Sequence, residues 1–221
     1  MRYLIALLII SGFFIPAFAQ DDVKNPSIII NTIDIPYEDF NVVSRDAVAF
    51  DLEQSHAVSW NITIDNNLQY ANPNGNAVLK IYDKNSDKFI EVGMGAPPDE
   101  KFWVAVNTEK EGYVVVQSDL ERGWYPAAKV ALSYTERGGL TVNNGARITV
   151  SSLNIGSFEA ASYSVHGLEG STDPAAVNAG SMTVEVLSGD PSQNVFALFP
   201  FYLAAGIGTL VAVLYLTKRR S

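Results

Sequence analysis

The chain has 221 residues, no cysteine, and 24 acidic against 15 basic residues, for a formal net charge of −9. Such an acidic surplus repels phosphate backbones and excludes nucleic acid as a partner, while the missing thiols exclude disulfide frameworks and thiolate metal sites. His56 and His166 are the two histidines, too few for a metal centre of several imidazoles.

In chain order, residues 1–19 read as a signal peptide: Arg2, an apolar run from Leu4 to Ile15, then the small-x-small pattern Ala17-Phe18-Ala19. Arg2 and the C-terminal Lys218, Arg219 and Arg220 are set aside. What remains between them is 11 basic residues against all 24 acidic ones, or −13. An acidic, cysteine-free extracytoplasmic domain over residues 20–187 must be held by core burial alone, for which its length suffices, and it fits a prokaryotic cell surface.

Within that domain the hydrophobic period is two. In AVSWNITID, Val58, Trp60, Ile62 and Ile64 alternate with Ser59, Asn61, Thr63 and Asp65, and SMTVEVL repeats the pattern with Met182, Val184 and Val186. Further strands are expected in SIIINTI from Ser27, AVAFDL from Ala47, AVLKIY from Ala77, FWVAV from Phe102, GYVVVQS from Gly112, KVALSY from Lys129, ARITV from Ala146 and FEAASYSV from Phe158. Turn-forming residues separate them, and no long amphipathic helix intervenes. DKNSDK, from Asp83, starts like a calcium loop, but Lys88 stands where glycine is needed and Met94 where glutamate is needed. It reads instead as the turn of a hairpin joining VLKIY to FIEV. The fold expected is all-β, an antiparallel β-sandwich, with a seam near residues 123–126 should it divide in two.

The stretch Gly139 to Val165, GLTVNNGARITVSSLNIGSFEAASYSV, resembles the closing strands of immunoglobulin-like modules in prokaryotic surface proteins. The resemblance implies an immunoglobulin-like sandwich and nothing about activity. Residues 188–194 form a short tether. After it, residues 195–216 carry no charge and are long enough to cross a bilayer as one transmembrane helix, with the basic tail 217–221 on the cytoplasmic side. Ala204, Gly208 and Ala212 recur every four residues and form a small-residue face for packing against another helix.

No G-x-S-x-G, H-E-x-x-H or phosphate-loop motif stands at a strand or helix junction. The β-rich, anchored layout is similar to the B subunit of copper membrane monooxygenases. Their histidine cluster has no counterpart here, so that function is not carried over and no cofactor is expected. Trp124 and Tyr125 lie in a turn context suited to contact anchors, and Asn61-Ile62-Thr63 is a glycosylation sequon on the polar face of its strand. The sequence thus leads to a single-pass surface protein that is not an enzyme. It would act as a binding or structural component, or as an accessory subunit that meets other membrane or surface proteins through its helix and membrane-proximal face. The alternative is an extracytoplasmic, carboxylate-dependent hydrolase of envelope glycans.

Overall fold

The computed structural model describes residues 29–57 and 59–188. Its strands in the first half are β1 (Ile29–Pro36), β2 (Phe50–His56), β3 (Ser59–Asn66), β4 (Gln69–Tyr70), β5 (Asn76–Asp83), β6 (Phe89–Gly95) and β7 (Phe102–Thr108). The second half contributes β8 (Gly112–Asp119), β9 (Val130–Thr135), β10 (Gly139–Asn143), β11 (Ile148–Leu153), β12 (Ala160–His166), β13 (Val177–Ala179) and β14 (Ser181–Ser188). They build two six-stranded antiparallel sheets, ordered β1-β14-β3-β9-β10-β11 and β2-β12-β5-β6-β7-β8, beside a small β4–β13 ribbon.

Alternation explains why the sheets stack. Trp60, Ile62 and Ile64 of β3 and Met182, Val184 and Val186 of β14 are all buried, as the period of two requires. The second sheet answers with Leu79 and Ile81, Ile90 and Val92, and Phe102 and Val104. Burying each such side chain contributes roughly 1.5–3 kcal/mol, which replaces the disulfides a cysteine-free chain lacks. Every second residue of the second sheet therefore faces away from the core, onto its outer surface.

Local chemistry fixes the turns. Asp83 closes β5 and accepts hydrogen bonds from the Asn85 amide (3.2 Å) and the Ser86 hydroxyl (2.6 Å), so DKNSDK is the tight turn between β5 and β6. Its carboxylate serves the backbone. Gly139 opens β10 at φ +71°, and a Cβ there would lie 2.4 Å from the Leu153 carbonyl, so only glycine fits.

The immunoglobulin-like expectation is corrected. Gly139 to Val165 does not close the sandwich: β10 and β11 form a hairpin at the edge of the first sheet, and β12 crosses into the second. The last strand, β14, inserts between β1 and β3, and the arrangement is jelly-roll-like. Alternation of Leu140, Val142 and Val150 specified which faces are buried but not which strands are neighbours. Gly123 to Pro126 lies in the β8–β9 connection, within one compact unit spanning Ile28–Pro191. Among the described residues no helix is long and apolar enough to cross a membrane. The expected signal peptide (1–19), the span (195–216) with Ala204, Gly208 and Ala212, and the tail (217–221) lie outside the described residues, as do 189–194 of the tether.

Candidate functional site

Strand register places a set of polar and aromatic side chains on the outer face of the second sheet. One row runs Ser164–Lys80–Glu91–Ala105–Val115 across β12, β5, β6, β7 and β8. Beside it run Ser162–Tyr82–Phe89–Asn107–Tyr113 and His166–Val78–Gly93–Trp103–Ser118. Four inter-strand steps make the face about 19 Å wide.

Glu91 is the hub. Its Oε1 accepts hydrogen bonds from Trp103 Nε1 and from the Tyr113 hydroxyl, each at 2.9 Å, and its Oε2 lies 3.4 Å from Lys80 Nζ. Lys80 donates in turn to Ser44 Oγ (3.2 Å) and sits 5.2 Å from the Phe89 ring centroid. A buried carboxylate with one cation and two neutral donors is a satisfied group, and it locks the orientation of both aromatic partners. Burial, the hydrogen bond to Glu91 and that residue's charge push the Tyr113 phenol up to about 12, so Tyr113 keeps the proton it donates.

Gly93 explains the pose of Trp103. A Cβ at Gly93 would lie 2.0 Å from Cε2 and Cζ2 of the Trp103 ring, so the indole lies against bare backbone. One ring face is thus used on the sheet, and the indole as a whole is only partly buried. Tyr113, 52% exposed, stands on the β8 side of the same hub. A cleft of about 590 Å³ adjoins Trp103 at one end of the sheet, with Asn72, Asn76, Lys101, Glu169 and Asp173 in its walls. A flat aromatic face beside anchored polar groups and an open cleft can stack a ring of C–H bonds and hydrogen-bond its hydroxyls.

His166 completes the face. It is 8% exposed, its Nδ1 has no partner, and burial, then the Lys80 charge, bring it down to about 4 against a smaller opposing effect of Glu91. It is therefore an uncharged imidazole at neutral pH. Among the described residues no cluster of three or more His, Asp or Glu side chains is placed to hold a metal.

The residues singled out in the sequence fall elsewhere. Trp124 is 1% exposed and donates to the Gly95 carbonyl at 2.9 Å, so it closes the core, while its neighbour Tyr125 is 42% exposed. Asn61 lies on the outer face of the first sheet, where its Oδ1 accepts from Ser133 Oγ at 3.1 Å. Lys80, Glu91, Trp103 and Tyr113 were missed. Their signal was faint but physical: charges inside the apolar strands VLKIY and FIEV, and a strand-interior glycine, which marks a close approach.

No protein-family profile and no curated protein matches the chain. Among solved structures, a carbohydrate-binding module from Bacillus subtilis aligns with TM-score 0.39 and 10% identity over 72% of this chain and 94% of its own. A β-glucanase from Bacillus licheniformis aligns with TM-score 0.41 and 7% identity over 74% and 98%. An alginate lyase from Pseudomonas aeruginosa gives 0.39 and 13% over 72% and 82%. These are likenesses of sandwich layout. Their names, a carbohydrate-binding module, a β-glucanase and an alginate lyase, stand against two expectations, that the chain is a structural or accessory component and that it is not an enzyme. Lys80, Glu91, Trp103, Tyr113 and His166 converge from β5, β6, β7, β8 and β12, a constellation that a search for contiguous motifs does not register.

Proposed function

We propose that the protein is carbohydrate-active, holding a glycan across the outer face of the second sheet against Trp103 and Tyr113 and beside Glu91. The observation that carries this reading is the Trp103 indole laid on Gly93 and fixed by Glu91. An indole needed only for packing would be turned into the core, as Trp60 and Trp124 are. Stacking on a pre-positioned ring costs little ordering entropy, which suits weakly binding sugars.

Cleavage of the bound glycan is the second reading, favoured by the Lys80–Glu91 pair at 3.4 Å, a carboxylate and an ammonium group set beside the platform. The glycan is envelope material met outside the cell, with residues 1–19 directing export and residues 195–216 anchoring the chain through a helix whose Ala204, Gly208 and Ala212 pack against a neighbour. Asn61 is a modification site in a host that glycosylates surface proteins.

The full chain in detergent is tested by affinity electrophoresis through gels containing soluble polysaccharides, with reducing-end release measured in parallel. Retardation that Trp103→Ala abolishes supports the reading, and cleavage that Glu91→Gln abolishes adds turnover. Absence of retardation and of cleavage across the glycans tried sinks it.

A further inference from the structure

We infer that the glycan taken by this face is electrically neutral, a polymer of uncharged hexoses or pentoses rather than a polyuronate, a sulfated glycan or a deacetylated amino-sugar chain. This deepens the reading of the outer face as a glycan site and rests on it. The inference comes from how charge is matched there.

Recognition of a carboxylate or sulfate requires a cation with charge to spare, usually one that is partly desolvated. The lysines of the face and of the cleft wall, Lys80 and Lys101, are already paired. Lys80 faces Glu91 at 3.4 Å and has its remaining donor capacity directed to Ser44 and the Phe89 ring. Lys101, in the cleft wall, faces Asp99 at 3.8 Å. His166 is held neutral by burial and by Lys80, so it adds no charge above acidic pH. The cleft also carries Glu169 and Asp173, and Asp173 Oδ2 accepts the amides of Glu169 (3.0 Å) and Gly170 (2.7 Å), which leaves its charge in place. A polyanion would meet this surplus of carboxylates on a chain that is itself acidic.

A polycation is disfavoured for a different reason. The central carboxylate, Glu91, is nearly buried and already holds one cation and two hydrogen bonds, so a second ammonium group would have to displace Lys80. Apart from the cleft carboxylates, what the face offers is uncharged: the Trp103 ring, the exposed Tyr113 ring, and the amide of Asn76 at the cleft. Stacking and neutral hydrogen bonds select a neutral, hydroxyl-rich ligand, and binding of that kind is insensitive to salt.

The test uses the full chain in detergent, run in affinity gels containing a mixed-linkage glucan, a xylan, polygalacturonate or chitosan, at low and high salt. At least one neutral polymer should be bound about tenfold more tightly than either charged polymer, equally at both salt concentrations. Asp99→Asn, at an exposed pair, should leave neutral binding unchanged and give polygalacturonate a salt-sensitive affinity by freeing Lys101. Tighter binding of polygalacturonate or chitosan by the unmodified protein, or loss of neutral binding at high salt, overturns the inference while leaving a glycan site standing. Failure to bind any of the four polymers overturns both.

Discussion

A single missing methyl group at Gly93 decides where the largest side chain of the outer face can lie. Gly93→Ala would place a Cβ 2.0 Å from the Trp103 ring, and the indole, half-buried on a surface, can escape by swinging outward. The expected result is a stability loss of only about 1 kcal/mol in urea unfolding, with loss of glycan retardation and a red-shifted tryptophan emission. A variant that keeps full retardation would show that the flat pose is irrelevant to binding. Glu91 predicts the opposite balance. Glu91→Leu strands the Lys80 ammonium group and removes the acceptor of Trp103 Nε1 and the Tyr113 hydroxyl, and should cost about 3 kcal/mol. Glu91→Gln keeps an acceptor oxygen and should cost less than half of that. Equal destabilisation by both would mean that shape rather than hydrogen bonding matters at this position.

Among the elements, β8 stands apart because it ends its sheet with apolar residues on both faces. Tyr113, Val114 and Val115 are all exposed, and the strand has a partner, β7, on one side only. An edge of this kind offers unpaired backbone groups to another strand. The unmodified protein should therefore self-associate with rising concentration in analytical ultracentrifugation, and Val115→Lys should reduce this without lowering the stability by more than about 0.5 kcal/mol. Unchanged self-association would acquit the edge. The same strand shows how far the sequence could be read. GYVVVQS was recognisable as a strand from its β-branched run, and Trp60, Ile62 and Ile64 identified their own core face, because alternation is a local property. That β8 lies at an edge, that β14 inserts between β1 and β3, and that Lys80, Glu91, Trp103 and Tyr113 share one face are matters of register between strands distant in sequence. Single-strand periodicity carries no information about pairing. Trp124 illustrates the converse, since its turn setting suggested exposure while the fold uses the ring to close the core, with its N–H satisfied by Gly95.

At the scale of the whole molecule the acidic surface and the buried imidazoles set a pH window for stability. The fold disfavours the charged form of His166, lowered from the ordinary 6.5 to about 4 by burial and by Lys80, and His56 is lowered by burial as well. Above pH 6.5 the imidazole is neutral in both the folded and the unfolded chain and contributes no pH dependence. Below it the unfolded chain takes up protons that the fold refuses, so stability declines, for His166 by up to ~1.4 kcal/mol per pH unit until its folded imidazole itself titrates near pH 4. At the alkaline end Tyr113, raised from 10 to about 12, resists ionisation in the fold, and stability is lost as pH rises through that interval. Urea midpoints should consequently be flat between pH 7 and pH 9 and fall on both sides. His166→Gln should remove roughly 2 kcal/mol of the acid decline between pH 6.5 and pH 4, a figure reduced because the ring is not wholly shielded from water. An acid limb in His166→Gln as steep as that of the unmodified protein would assign the decline to His56 and to carboxylates such as Glu159. The ionised form of Glu159 is held by the hydroxyl of Ser55 and by Lys84.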